Sequence, residues 1–70
     1  MENDLNVWRA KKDITQGELA DDVDVSRQTI NAIERGRYDP SLELAFELAH
    51  YFECTIEDIF EYDPADDGEA

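Results

Sequence analysis

The chain has 70 residues, with 19 Asp and Glu against six Lys and Arg, a formal charge of −13. That length has room for one domain, whose fold buries about 60% of the surface exposed by the unfolded chain. Its single cysteine, Cys54, excludes an internal disulfide and suits a reducing cytoplasm. Cys54 reads as a small core residue. No His or second Cys stands at zinc-ligand spacing, so no metal and no cofactor is expected. The N-terminus lacks the basic and apolar blocks of a secretion signal. The longest mainly apolar stretch, residues 42–52, carries Glu43, Glu47 and His50 and is too short to span a bilayer. A cytoplasmic protein without a membrane partner is expected.

The first predicted helix covers residues 3–12, with Asn3 or Asn6 as its cap. Leu5, Trp8 and the stem of Lys12 follow helical spacing, and Val7 lies off that face. Trp8 reads as a core anchor. Arg9, Lys11 and Lys12 stand where cations suit the negative end of the helix, or where they could meet phosphate. After a connector at Asp13-Ile14, Thr15-x-x-Glu18 is a capping box for a second helix with Leu19, Ala20 and Val23 inside. Gly17 within it costs up to about 1 kcal/mol relative to Ala, and the sequence supplies no reason for it. Asp24-Val25 forms a turn that lacks the frequent glycine, but an aspartate tolerates the left-handed conformation.

Ser26 caps a third helix whose Ile30 and Ile33 face inward and whose Arg27, Gln28, Asn31 and Ala32 face outward. Gly36 is its C-cap, and Pro40 stops it from running on. Ser41 caps a fourth helix with Leu44, Ala45, Leu48, Ala49 and Phe52 on one stripe, broadened by Leu42 and Phe46. Thr55, boxed with Asp58, caps a short fifth helix that closes the core with Ile56, Ile59 and Phe60. Residues 63–70 form an acidic tail expected to be disordered. Apart from residues 59–62 no run reads as a strand. The fold class is all-α, a compact bundle of five short helices over residues 1–62.

Residues 15–36, TQGELADDVDVSRQTINAIERG, form a short helix, a tight turn and a second short helix. This is a helix-turn-helix, a device for placing side chains in the DNA major groove. The net charge opposes that reading, but its distribution softens the conflict. All six basic residues fall between positions 9 and 37, where six acids balance them, while residues 38–70 carry eleven acids and no Lys or Arg. The acidity has three readings: adaptation to a salty cytoplasm, a surface for a basic protein partner, or mimicry of DNA. The scatter of acids over every segment favours the first.

The ordered string from Thr15-Gln16 through Leu19-Ala20, Val25-Ser26, Ile30, Ile33-Glu34, Gly36, Pro40-Ser41-Leu42, Leu48-Ala49 and Phe52 resembles the Cro/C1-type (Xre-like) helix-turn-helix regulators. More narrowly it resembles their short stand-alone members, and the likeness covers roughly residues 3–61. It implies a lambda-repressor-like fold and a role in transcription. On matching positions it implies that Arg27 and Gln28 read bases, with Asn31 and Ala32 as further readers. A glutamine suits adenine and an arginine suits guanine. Gln16, Ser26, Thr29, Arg35, Arg37 and Tyr38 are the implied backbone contacts. Arg9 and Glu34 resemble a pair the family uses as a structural brace. The acid excess departs from the family's usual charge and implies weak nonspecific affinity at moderate salt.

The leading function is therefore a sequence-specific regulator binding double-stranded DNA as a homodimer, with Phe46, Tyr51, Phe60 and Tyr62 as dimer candidates. Residues 59–62 could pair across the two-fold axis as a strand. The other reading is an antitoxin-like or adaptor module whose acidic C-terminal half binds a basic protein. An enzyme is not expected: His50, the single histidine, has no nucleophile or base at catalytic spacing.

Overall fold

The computed structural model describes residues 1–62; the predicted acidic tail lies outside the described residues. In chain order the elements are β1 (Glu2–Asn3), α1 (Leu5–Lys12), α2 (Gln16–Asp22), α3 (Arg27–Glu34), α4 (Leu42–Tyr51), α5 (Ile56–Ile59) and β2 (Phe60–Glu61). Five short helices make the body. A minimal antiparallel ribbon joins its two ends, with Glu2 opposite Glu61 and Asn3 opposite Phe60.

Local chemistry sets most of the boundaries. The Thr15 hydroxyl accepts from the Glu18 N–H at 3.1 Å, and the Glu18 carboxylate accepts from the Thr15 N–H at 2.8 Å. Thr55 and Asp58 repeat the box at the start of α5. Ser26 and Ser41 cap α3 and α4 through the N–H groups of Thr29 and Leu44, each at 3.1 Å. Each such cap is worth about 1 kcal/mol, a large share of what a domain this small can spare. The turn between α2 and α3 is made by Asp24 in the left-handed region at φ 63°, and Gly36 leaves α3 at φ 73°. Asp13 and Glu53 adopt the same conformation after α1 and α4.

Every helix supplies a fully buried side chain to one core: Leu5, Leu19, Ile30 with Ile33, Leu48 and Ile59. Burial of each stabilises by about 1.5–3 kcal/mol. The core therefore holds α3 from behind and leaves its opposite side to solvent.

The structure departs from the sequence reading at several points. The first helix begins at Leu5, because Glu2 and Asn3 enter the ribbon. Asn3 still serves the helix start: its Oδ1 accepts from the Leu5 N–H at 3.1 Å, and its Nδ2 donates to the Ile33 carbonyl at 2.8 Å. Asn6 lies inside the helix and caps nothing. Trp8 is half-buried, tilted against Phe52, with its indole N–H on the Asp58 carbonyl at 3.2 Å. Leu42 and Phe46 do not broaden the α4 stripe; they are 71% and 58% exposed. Leu44, Ala45, Leu48 and Ala49 already fill the inner arc, and Phe46 sits roughly 130° around the helix from its centre. Residues 59–62 do not form a free strand, since Phe60 and Glu61 pair with the chain's own N-terminal end. Phe60 is buried, so it belongs to the core and not to a dimer surface.

Candidate nucleic-acid interface

Packing of α3 on α2 is the most extensive helix contact in the molecule, and the Asp24 turn sets its angle. With Ile30 and Ile33 turned inward, Arg27, Gln28, Asn31 and Ala32 fall within a continuous outer arc of roughly 140°. Arg27 and Gln28, in the first turn of α3, are exposed; Asn31 and Ala32, one turn on, are half-buried. Thr29 lies to the side of that arc and is half-buried. Its hydroxyl is 2.9 Å from that of Ser26, so both are already engaged in the cap.

At the N-terminal end of α2 the structure assembles a polar node that sequence reading missed in part. Glu34, at the end of α3, accepts from Arg9 Nε at 2.8 Å, from Arg9 Nη2 at 3.3 Å and from Gln16 Nε2 at 2.9 Å. Arg9 Nη1 donates to the Ile14 carbonyl at 3.0 Å. Asn31 Nδ2 approaches Gln16 Oε1 at 3.5 Å. Only 8% of the Glu34 side chain is exposed, and the hydrogen bonds its carboxylate accepts from Arg9 hold that guanidinium charged, raising the Arg9 pKa although burial alone would lower it. Arg9 is therefore spent on Glu34, and Gln16 is tethered to it. Asn31 and Glu34 are three residues apart on α3, a spacing that puts them on one side; that is the signal available in the sequence.

The other cations divide cleanly. Lys11 lies 4.8 Å over the Trp8 ring and Lys12 5.1 Å over the Tyr51 ring. Among the described residues, Arg27, Arg35 and Arg37 make no ion pair and no side-chain hydrogen bond. Arg27 opens α3, and Arg35 and Arg37 lie just past its end with the half-exposed ring of Tyr38. Gly17 lies beside Arg27: a Cβ there would be 3.8 Å from Arg27 Cδ, an ordinary contact, so nothing among the described residues requires a glycine. Of the dimer candidates, Phe46 and Tyr62 are exposed, Tyr51 is half-buried with its hydroxyl donating to Asp22 at 2.7 Å, and Phe60 is buried.

A helix-turn-helix family profile matches residues 7–59. The chain is 56% identical over 63 residues to an uncharacterised HTH-type transcriptional regulator of Methanocaldococcus jannaschii, covering 90% of this chain and 96% of that one. It is 42% identical over 60 residues to another from Bacillus subtilis, covering 86% and 91%. The solution structure of the SOS-response transcriptional repressor LexA from Eubacterium rectale superposes with a TM-score of 0.73 at 30% identity, over 94% of this chain and 78% of that one. Joined to the capped helix pair and the outward arc of α3, these matches show that the chain belongs to the Cro/C1-type helix-turn-helix transcriptional regulators.

Proposed function

We propose that the protein is a sequence-specific DNA-binding regulator that works as a homodimer on two half-sites about one helical turn apart. The observation that carries this is the partition of the cations. Three are used internally, and the three left unpaired stand at the two ends of α3, on either side of the Gln28–Asn31 surface. Arg27, Gln28 and Asn31 read base edges, and the Ala32 methyl fits a thymine methyl. Arg35, Arg37 and Tyr38 hold phosphate. Ser26 and Thr29, whose hydroxyls bond each other, leave one O–H between them for phosphate, and Gln16 offers the N–H that Glu34 does not use. The two-fold contact uses the ribbon end of the molecule, where Tyr62 is 64% exposed beside β2.

Most of the acid excess is a general surface adaptation to salt, whose ions screen the self-repulsion it creates. An adaptor acting only through its acidic half would leave the arc of α3 without a task. Selection of bound duplexes from a random pool, in dilute and near-molar KCl, tests the reading. A palindromic site is expected, with Gln28→Ala relaxing one base position per half-site by about 1–3 kcal/mol of discrimination. Recovery of no common site in either salt refutes direct readout.

A further inference from the structure

Between the C-terminal end of α2 and the outer side of α4 lies an open groove of ≈ 570 Å³ that shares no residue with the DNA-facing arc. Its apolar lining is Val23, Phe46 and the ring of Tyr51. The carboxylates of Asp22, Asp24, Glu43 and Glu47 stand around it, and His50 completes one wall. Phe46 is 58% exposed, although the core has no place for it and α4 would keep its packing without it. The Tyr51 hydroxyl donates to Asp22 at 2.7 Å, which ties α4 to α2 and fixes the width of the groove before anything binds.

We propose that this groove docks a basic amphipathic helix of a partner protein. Charge selects the occupant. A second copy meeting it groove to groove would bring four more carboxylates against the four already there, and DNA would bring phosphates. A segment that sets one large apolar side chain against Phe46, with Lys or Arg one turn to either side, meets Glu43 and Glu47. Those two are themselves one turn apart on α4. The backbone selects the conformation. One wall is α4, with its hydrogen bonds made internally, and the other is the end of α2 with the Asp24 turn; neither is a strand, so an extended segment would find no edge to pair with, whereas a helix brings its own bonds satisfied. Because the groove and the α3 arc are separate, the partner is held while DNA is bound.

The test uses the full chain and a fluorescein-labelled Leu/Lys amphipathic peptide of about five helical turns. A scrambled peptide of the same composition and a Leu/Glu counterpart serve as controls. Binding is read by anisotropy and by amide shifts. The expected result is a set of shifts centred on Val23, Phe46 and Glu47. Phe46→Ala weakens binding about tenfold with its thermal melt retained. The Glu43→Gln, Glu47→Gln double variant weakens it severalfold at about 0.1 M KCl and much less at about 1 M. Three results overturn the proposal: shifts spread over the whole acidic surface with Phe46→Ala unchanged; equal binding of the Leu/Glu or scrambled peptide; or concentration-dependent shifts at Phe46 without peptide, which would mean that a second copy fills the groove.

Discussion

The Glu34 carboxylate accepts three hydrogen bonds, and without them Arg9 would keep a single partner, the Ile14 carbonyl. Glu34 is 8% exposed and Arg9 22%, so the pair is neither fully buried, where loss of one partner costs about 3–5 kcal/mol, nor a surface pair worth less than about 1 kcal/mol. A charge-assisted bond in between is worth about 1.5–3 kcal/mol. On that basis Glu34→Gln, which keeps the shape and part of the bonding, should destabilise by about 2 kcal/mol. For a domain of this size the midpoint of thermal unfolding then falls by about 8–16 °C. The decisive assay is a double-mutant cycle with Arg9→Met, read by denaturant unfolding. The single losses should overlap, with a coupling of about 1–2 kcal/mol that survives near-molar KCl because the pair is largely shielded from solvent. If the two substitutions add within about 0.3–0.5 kcal/mol, Arg9 and Glu34 are independent and the brace does not exist.

The Arg35→Gln variant should lose affinity almost evenly across sequences. The salt slope of the dimer should become shallower by about 2, one released ion from each protomer; an unchanged slope removes Arg35 from the phosphate contacts. Gly17→Ala should leave the fold intact and raise the unfolding midpoint by up to about 8 °C, since a Cβ has room. If DNA affinity falls in the same protein, the glycine serves close approach to the phosphate backbone, and if it does not fall that role is excluded. The hydrogen bond to Asp22 raises the Tyr51 pKa above its ordinary value, so its stabilisation is complete below about pH 10 and is lost as pH rises through the folded-state value. Melts of Tyr51→Phe should therefore lie below those of the parent at neutral pH and converge with them in alkali; a constant gap would show that the phenol's proton is not involved.

What could be read from the sequence was what is decided locally. The boxes at Thr15–Glu18 and Thr55–Asp58, the serine caps of α3 and α4 and the left-handed Asp24 depend on neighbours within a few residues. So does the split of α3 into Ile30 and Ile33 against Arg27, Gln28 and Asn31, which is periodicity alone. Of the ribbon, only the strand tendency of residues 59–62 was legible; the N-terminal partner was not, because a two-residue strand carries no period and the two halves lie far apart in the chain. Phe46 fits both the apolar stripe and the dimer candidates in the sequence because α4 is apolar over most of its circumference, and periodicity cannot say which residues are surplus once the inner arc is full. The bond of Gln16 to Glu34 was not legible, because it depends on how two helices cross, a relation that neither helix encodes by itself.

Joining the chain's ends has a kinetic meaning. Besides the two strand pairs, the Asp4 N–H donates to the Ile59 carbonyl at 2.8 Å, and Trp8 reaches Asp58. Closing a loop of this length costs about 3–4 kcal/mol of chain entropy before any contact rewards it. The α2–α3 pair closes over a few residues and needs no such outlay. The helix-turn-helix is therefore positioned to nucleate folding, with the ends as a clasp that shuts last and opens first. Hydrogen exchange should then find the amides of Asp4 and Phe60 opening in a sub-global event well below the energy that protects Ile30, so that the ends can loosen while the α2–α3 pair stays folded.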